Sequence, residues 1–394
     1  MHGTTGWQTR VTTWHFESSF YSSKFTKSDF SVTLFMNVLI IKFRNIGDVL
    51  LSTPLIANIK YYYPDSNIDF ALNEGCEEMV YDNPSINNII VYDRPRIKKL
   101  GILSQLLEEI NFTRTIRSNN YDIVINLTEG DRGAQLTYFS GAKIKLGFPV
   151  RKGILSKIGV YDKFGDDNKW QHMLQHTVEK ELQFVNLLGK EVVSKDVIIH
   201  WASDIDKEID QILRENSVED FVHIHPVSRW MFKCWEDDRM AKIIDYFEEE
   251  KNLKVILTGG FIQKELDRID RIISLCKTKP INFSGQLTLK HLASLSSKSK
   301  LFFGVDTAPM HIAAATNTPV LTIFGATFPV LWGPWNNSSN KQLFLDIDGI
   351  QMNGRHCMVS MMNHDIFYEG SVKKSKGMVL IDYDKVRSAL DSML

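Results

Sequence analysis

The sequence predicts an α/β protein with two domains, each built on a parallel β-sheet. Apolar runs of strand length alternate with helical stretches from Met36 onward, and the same alternation restarts near Phe221. Near-continuous apolar strands separated by helices are typical of parallel sheets that are covered on both faces. Two strand–loop–helix turns, at 38–53 and 301–316, each place an aspartate where the helix begins. If the two turns face each other, they form the walls of a cleft.

The first domain is expected to carry five strands with helices between them. The strands are predicted at 38–42, 68–72, 89–93 and 122–127, with a fifth inside 141–148. The helices are predicted at 48–62, 75–82, 102–118 and 131–140. Pro64 marks the end of the first helix, because the residue before a proline rarely continues a helix.

The second domain repeats this order without repeating the sequence. A helix at 173–188 and a crossover at 189–204 are predicted to lead into it. Strands are expected at 221–226, 254–260, 281–285, 301–306 and 319–326. Helices are expected at 236–250, 262–276, 288–296 and 307–316, with a last one at 382–394. We therefore place the two domains at 36–195 and 196–394.

Residues 1–35 differ from the rest of the chain. They are rich in Ser, Thr and aromatic residues and show no sustained periodicity. They also lack the apolar stretch of a secretory signal. Met36 stands directly before the first strand. We therefore expect 1–35 to be a poorly ordered N-terminal extension, and a chain that starts at Met36 should fold and act normally.

The composition excludes several classes of protein. With 43% apolar and 24% charged residues, the chain has the composition of a soluble globular protein. Its formal net charge of -1 disfavours a general nucleic-acid binder, which is usually strongly basic. The four cysteines show no CxxC spacing and suit a reducing cytosol. No apolar run approaches the roughly 20 residues that a membrane-spanning helix needs.

The first turn, Asn45 to Thr53, carries a candidate catalytic acid. Gly47 permits a close approach of another group at this point. Asp48 has two interpretations. It either caps the helix, which is the commoner role, or acts as a general base, which needs a carboxylate within reach of a substrate hydroxyl. Arg44 and Lys42 stand nearby, where they can tune Asp48 or bind an anionic acceptor.

The second turn is a candidate phosphate site. Asp306 or Thr307 can cap the helix that follows the strand. A helix start offers unpaired backbone N–H groups and the positive end of the helix dipole, which together favour an anion. Ala308 keeps the turn small, and His311 lies about one turn along the helix. The alternative is an ordinary capped helix, in which Asp306 bonds only to its own first turn.

A third segment, RWMFKCW at 229–235, follows the strand predicted at 221–226. Arg229 and Lys233 are cations at the carboxyl end of that strand, where open α/β sheets bind their ligands. Such cations can neutralise a departing diphosphate. The simpler alternative is a solvated loop with two packing tryptophans.

Familiar nucleotide and metal motifs are absent from the sequence. There is no G-x-x-x-x-G-K-[ST] loop, no G-x-G-x-x-G after a strand, no HExxH and no DxD-type pair. We therefore expect no metal and no cofactor, and a phosphate held by helix termini and side-chain cations.

Two further segments have two interpretations each. The basic run 94–99 either meets an anionic lipid surface or is an exposed loop, and the segment 324–335 either packs under a nucleotide base or closes the core.

The two turns together resemble glycosyltransferase family 9, the bacterial lipopolysaccharide heptosyltransferases. GDVLLSTP (47–54) matches the family's G-D-[hydrophobic]-L-x-[ST]-[ST]-P signature, and DTAPMHIAA (306–314) matches D-[ST]-[GA]-x-x-H-x-x-A. The resemblance extends from about Met36 to the C-terminal helix. Within the family, the chain most resembles the core heptosyltransferase III branch in its segments FKCW (232–235), GVDTAPMHIAAATNTP (304–319) and FGATFPVLWGPW (324–335).

The resemblance implies a fold, a reaction and a location. The fold is GT-B, in which two Rossmann-like domains with parallel sheets face each other across a cleft. The N-terminal domain takes the acceptor and the C-terminal domain the nucleotide-sugar donor. The reaction is inverting transfer of heptose from ADP-heptose to an inner-core heptose on a lipid A anchor. The location is the cytoplasm, with peripheral contact at the inner membrane and no nucleic-acid partner.

The resemblance also assigns roles to residues. Asp48 corresponds to the proposed base. The residues that correspond to donor-binding positions are Lys233, Asp306, Thr307, Ala308, His311 and Ser228. The remaining candidates, for the acceptor or the loops, are Gly47, Arg44 and Arg229.

Three alternatives stay open at this point. A transferase of the same family can act on a protein or on another glycan. A non-catalytic nucleotide-sugar binding protein would need only the second turn, so the presence of Asp48 disfavours it. A nucleotide-dependent oxidoreductase is disfavoured by the missing glycine fingerprint.

Overall fold

The structure is a computed structural model of the whole chain. It describes residues 35–150, 155–166, 175–335, 337, 349–353, 355–360 and 365–394. The predicted N-terminal extension, apart from Phe35, therefore lies outside the described residues, as does the start of the helix predicted at 173–188.

The first half of the described chain forms a six-stranded parallel sheet with helices around it. Its strands are β1 (Asn37–Lys42), β2 (Asn67–Asn73), β3 (Asn88–Tyr92), β4 (Ile123–Asn126), β5 (Ile144–Gly147) and β6 (Lys163–Phe164). Its helices are α1 (Ile46–Leu50), α2 (Thr53–Tyr62), α3 (Arg94–Lys98), α4 (Ile102–Ser118), α5 (Asp131–Phe139), α6 (Leu155–Ile158) and α7 (Thr177–Leu187). The strand order β3-β2-β1-β4-β5-β6 is that of a Rossmann fold.

β1 lies at the centre of this sheet and contributes to a core on each face. Val38 and Ile40 belong to one apolar cluster, while Leu39 and Ile41 belong to another. All four side chains are fully buried. Successive strand residues point to opposite faces, so a strand covered on both sides must be apolar at every position. This is why residues 38–41 form a continuous apolar run in the sequence.

The second half repeats the arrangement with an added edge. Its strands are β7 (Phe221–His225), β8 (Lys254–Leu257), β9 (Ile281–Asn282), β10 (Leu301–Val305), β11 (Val320–Phe324), β12 (Gly349–Asn353) and β13 (His356–Ser360). Its helices are α8 (Ser203–Glu215), α9 (Asp237–Asp245), α10 (Gln263–Leu275), α11 (Leu289–Lys298), α12 (Ala308–Ala315), α13 (Pro329–Trp332), α14 (Lys376–Leu380) and α15 (Tyr383–Asp391). The order is β12-β13-β11-β10-β7-β8-β9, so the six parallel strands follow the order of the first sheet. β12 adds an antiparallel edge.

Several strands of the second half were not predicted. β12 and β13 form an antiparallel pair, and β13 extends the sheet beside β11. A separate hairpin consists of β14 (Ile366–Glu369) and β15 (Val372–Ser375). Their short or polar segments lack the long apolar runs that marked the central strands.

Three local predictions in the first half were wrong. The helix predicted at 48–62 is two helices, because Pro54 lacks an N–H group and stands in the first turn of α2, where the chain restarts. The helix predicted at 75–82 is one short turn, Glu77–Met79, between left-handed backbone at Gly75 and Asp82. The basic run at 94–99 is not an open loop but contains α3, whose first turn is capped by the Asp93 side chain.

The two halves pack on each other through one continuous apolar cluster. Ile312 of α12 and Trp335 belong to the same cluster as Val49 of α1. Polar contacts also join the halves: the Nζ of Lys290 donates to the carbonyl of Tyr81 at 2.7 Å. The domain boundary at 195/196 stays a prediction. Among the described helices, none combines the length and the apolar character that crossing a membrane requires.

Candidate active site

The first and second turns of the sequence meet face to face. Gly47 of α1 lies directly against α12. A Cβ placed on Gly47 would stand 2.7 Å from Cδ2 of His311 and 3.7 Å from the Cα of Ala308. A carbon atom cannot approach so closely without moving its neighbours, so this contact needs glycine. The two aspartate-bearing turns therefore form opposite walls of one interface.

Asp48 lies in the first turn of α1 and is partly exposed. Its Oδ2 accepts two long hydrogen bonds of 3.3 Å, from the backbone N–H and from the side-chain amide of Asn45. Among the described residues, Oδ1 has no hydrogen-bond donor. Asp48 is thus not the N-cap itself but the third residue of a capping box whose N-cap is Asn45, and this box engages only one carboxylate oxygen. The other is available to a substrate hydroxyl.

On the opposite wall, Asp306 holds Lys233. The Nζ of Lys233 donates to Oδ2 of Asp306 at 2.6 Å, and the Thr327 hydroxyl donates to the same oxygen. Asp306 is only 7% exposed, so this ion pair is shielded from bulk water. Asp306 therefore does not cap its own helix, and the simple capped-helix interpretation of this turn was wrong. Its carboxylate instead fixes the position of a cation that follows β7.

The start of α12 stays available to an anion. Thr307 occupies the N-cap position with an extended backbone, but its hydroxyl makes no capping hydrogen bond. The first N–H groups of a helix have no partner within the helix, and they carry the positive end of its dipole. Ala308 begins the helix with a methyl group only. The free N–H groups at the start of α12 thus carry partial positive charge beside the ion pair of Lys233 and Asp306.

His311 connects the two walls electrostatically. It is buried, and its Nδ1 has no hydrogen-bond partner among the described residues. Burial lowers the pKa of His311 to about 4, while the carboxylates of Asp306 and Asp48 oppose that fall. Both aspartates are therefore within electrostatic reach of the same imidazole. At neutral pH the ring is uncharged.

A buried ion pair lies beneath the first turn. Lys42, at the end of β1, contacts Glu181 of α7, and both side chains are almost completely buried. Burial raises the pKa of Glu181, and the charge of Lys42 opposes this rise. The carboxylate of Asp48 adds to the rise, so Glu181 is within electrostatic reach of Asp48. Lys42 is consequently not free to bind an acceptor.

The remaining site residues predicted from the sequence are Ser228, Arg229 and Arg44. Ser228 is buried, and its hydroxyl accepts from the backbone N–H of Trp230 at 3.3 Å. Arg229 is exposed, near the ring of Trp230. Arg44 is also exposed, and its carbonyl oxygen accepts from Asn73. Arg44 and Arg229 thus keep their charges at the surface.

Three further residues of the site were not identified from the sequence. Thr327 holds Asp306, Glu181 pairs with Lys42, and His176 joins α7 to the second half. The ring of His176 donates to the carbonyl of Gly333 at 3.0 Å and stacks on Trp335. Thr327 lies in the segment FGATFPVLWGPW (324–335), which was singled out from the sequence, although Thr327 itself was not named. Nothing in the local sequence indicates the other two.

No group of three or more metal-binding side chains was found in the described ranges. On the donor wall, Lys233 carries a positive charge that Asp306 pairs, and the start of α12 adds a partial positive charge.

Comparisons with known proteins assign the family. The model of glycosyltransferase family 9 (heptosyltransferase) matches residues 110–354, which is more than half of the chain. The chain belongs to glycosyltransferase family 9. It is therefore a glycosyltransferase, and the resemblance stated from its motifs is confirmed. The turn that carries Asp306 lies inside the matched range, and the turn that carries Asp48 precedes it.

Individual relatives agree with this assignment. Lipopolysaccharide heptosyltransferase 3 of Escherichia coli (strain K12) is 34% identical over 299 residues, which cover 74% of this chain and 83% of that protein. A glycosyl transferase family 9 structure from Veillonella parvula aligns with a TM-score of 0.72 at 20% identity, over 93% of this chain and 99% of that one. The E. coli heptosyltransferase WaaC with ADP aligns with a TM-score of 0.68 at 18% identity, over 91% and 100%. The predicted GT-B fold is confirmed.

Proposed function

We propose that this glycosyltransferase moves heptose from ADP-heptose to a heptose of the lipopolysaccharide inner core, with inversion at the anomeric carbon. The observation that carries the proposal is the 34% identity, over 299 residues, to the E. coli protein named lipopolysaccharide heptosyltransferase 3. The contact between the two turns supplies a place where acceptor and donor can meet.

The proposed reaction is one displacement. The acceptor hydroxyl oxygen attacks the anomeric carbon of the donor heptose from the face opposite the diphosphate. A new C–O bond forms as the bond to the diphosphate breaks, and ADP leaves with the bonding electrons. Asp48 takes the hydroxyl proton, which a carboxylate can do when one oxygen is open to the substrate. Oδ1 of Asp48 fits that role, since the cap occupies only Oδ2.

The donor side of the proposal stabilises the departing diphosphate. Charge develops on the phosphate oxygens as the bond breaks, and fixed positive groups lower the energy of that state. Lys233 and the first N–H groups of α12, from Thr307 onward, supply this charge. We propose that Asp306 acts indirectly. Two anions repel, so its carboxylate orients Lys233 by the 2.6 Å ion pair and does not bind phosphate itself.

Neutral His311 suits the position between these charges. An imidazolium ion there would attract the Asp48 carboxylate and weaken it as a base. Burial keeps the pKa of His311 near 4, so the ring carries no charge under ordinary conditions. Its close packing on Gly47 also helps to exclude water, which would otherwise hydrolyse the donor.

The proposal also covers partners and location. The substrates are ADP-heptose and a core oligosaccharide linked to lipid A, and the mechanism needs neither a metal nor another cofactor. The enzyme works in the cytoplasm and reaches its lipid-linked acceptor by peripheral contact with the inner membrane.

The test is transfer from ADP-heptose to purified core oligosaccharides truncated at successive sugars, followed by mass spectrometry. We expect one added heptose on an acceptor that already bears two, and addition about 10²–10⁴-fold slower with the isosteric Asp48→Asn variant. Absence of transfer to every core, with ADP binding intact, would contradict the proposed acceptor. Transfer to a protein under the same conditions would favour the alternative acceptor class.

A further inference from the structure

Helix α4 exposes a band of large aliphatic side chains that no described part of the chain covers. The exposed fractions are 86% for Ile102, 78% for Leu103, 57% for Leu106, 59% for Leu107 and 37% for Ile110. Single exposed aliphatic residues are ordinary on protein surfaces, but a contiguous group of them marks an interaction site.

The spacing of these residues places them on one face of the helix. At about 100° per residue they occupy an arc of roughly 140°. Phe112 and Ile116 point the other way and pack on the core around Leu39. α4 is therefore apolar on two sides, with one side in the core and one in solvent. We call the five exposed aliphatic residues the α4 face.

Cations without acidic partners flank the α4 face at both ends. Arg94, Lys98 and Lys99 precede it, and all three are exposed. Arg114 and Arg117 follow it on the same arc of the helix and are also exposed. None of these five cations forms an ion pair with another described residue.

The acidic residues of α4 do not cancel this charge. Glu108 accepts two hydrogen bonds from the guanidinium group of Arg96, at 3.0 and 3.2 Å. Glu109 pairs with Arg132 at 2.8 Å and accepts from the Tyr92 hydroxyl. Both carboxylates are therefore paired within the fold, and Arg96 also pairs with Asp93 at 3.2 Å. The five flanking cations outnumber these acidic residues, so the net charge around the α4 face is positive.

The α4 face lies at the same edge of the sheet as Asp48. β1, β2 and β3 are parallel, so their carboxyl ends share one edge. Asp48 follows β1, and α3 with the start of α4 follows β3. Phe43, just after β1, packs on the rings of Tyr92 and Phe112, with centroids 5.8 and 6.3 Å away. A surface that receives the α4 face would thus lie beside the mouth of the cleft.

We propose that the α4 face docks on the surface of an anionic phospholipid bilayer. The aliphatic side chains enter the boundary between headgroups and acyl chains, and the flanking cations contact the lipid phosphates. This inference rests on the proposed function, because a lipid-linked acceptor must reach Asp48 from such a surface. A second copy of the chain fits less well, since pairing of two α4 faces would bring like cations together.

The test is binding of the full chain to vesicles, measured by flotation. The vesicles contain equimolar phosphatidylglycerol and phosphatidylethanolamine, and vesicles of phosphatidylcholine serve as the neutral comparison. The apolar variant is Leu103→Gln with Leu107→Gln, and its control is Leu275→Gln, an exposed leucine on α10. The charge variant is Lys98→Gln with Lys99→Gln, and its control is Lys279→Gln, an exposed lysine of the other half.

We expect the wild-type chain to bind anionic vesicles more tightly than neutral ones. The apolar variant should bind about tenfold or more weakly. The charge variant should bind about 30-fold more weakly at low salt, from about fivefold per lysine. Both controls should bind like the wild type. Turnover on a delipidated core oligosaccharide should be unchanged in all four variants, because the α4 face contributes nothing to the cleft.

Equal vesicle binding by all variants would overturn the proposal. A change in oligomeric state of the apolar variant without a change in vesicle binding would also overturn it, in favour of self-association. Vesicle binding that appears only after residues 1–35 are removed would do the same, since the face would then serve the chain's own N-terminal segment. If the variants bind vesicles as expected but the enzyme transfers heptose to no core, membrane docking by the α4 face would be supported. The proposed function alone would then be refuted.

Discussion

The contact between Gly47 and His311 predicts the effect of adding a single methyl group. In Gly47→Ala the new Cβ would lie 2.7 Å from Cδ2 of His311. Carbon atoms in contact lie about 3.5–4.0 Å apart, so either the His311 ring must shift or the two turns must separate, by about 1 Å. Overpacking of this kind costs about 1–3 kcal/mol. Alanine also favours the helix over glycine by about 1 kcal/mol, so global stability should fall by about 2 kcal/mol or less. The overpacking cost applies only while the two walls are in close contact.

If catalysis needs that approach, this cost lowers the population of competent enzyme. A penalty of about 1–3 kcal/mol corresponds to a fall of about 5- to 150-fold in kcat/KM. The assay is steady-state transfer with a soluble acceptor. Gly101→Ala is the control, because a Cβ there would meet nothing within 4 Å. Unchanged kcat/KM in Gly47→Ala would refute the reasoning. So would an equal loss in a His311→Ala background, where the clash has been removed.

Three further predictions concern the donor, the buried pair and pH. Lys233→Ala should raise the donor KM about tenfold or more, because a hydrogen bond to a charged group contributes about 1.5–3 kcal/mol. An unchanged donor KM and kcat, like those expected of the neighbouring Lys264→Ala, would contradict its role. Glu181→Ala should lower the free energy of unfolding by about 3–5 kcal/mol in urea titrations, since it leaves Lys42 buried and unpaired; a loss below about 1 kcal/mol would argue against the pair. Buried histidines such as His311, whose folded pKa is about 4, bind fewer protons than the unfolded chain below about pH 6.5. Stability should therefore fall as pH falls from about 6.5 towards 4, by at most about 1.4 kcal/mol per pH unit for each such histidine. If the free energy of unfolding in urea titrations did not change with pH over this range, the result would contradict burial of these histidines in the neutral form.

The parts of the fold that were predictable from the sequence rest on local patterns. β1 could be recognised as a strand because Val38 to Ile41 are all apolar. They are apolar because β1 packs against a core on each face of the sheet. The two aspartate-bearing turns could be found because a strand, a glycine or small residue and an aspartate at a helix start are contiguous. Each of these features is contained in about ten residues, where propensity and periodicity act directly.

The remaining features depend on partners that are distant in the sequence. Nothing near Glu181 indicates that it pairs with Lys42, which precedes it by 139 positions. Gly47 gave a general signal for close approach, but its neighbour His311 became known only from the packing of the two halves. The capping interpretation of Asp306 failed for the same reason, since its partners Lys233 and Thr327 come from other loops.

The central claim is that Asp48 performs chemistry while the opposite wall binds the donor. The most direct measurement compares turnover and ADP affinity in Asp48→Ala. The account predicts that kcat falls about 10²–10⁴-fold, the usual contribution of a general base, while calorimetry shows unchanged ADP affinity. Retained turnover, or ADP affinity lost together with turnover, would contradict the assignment.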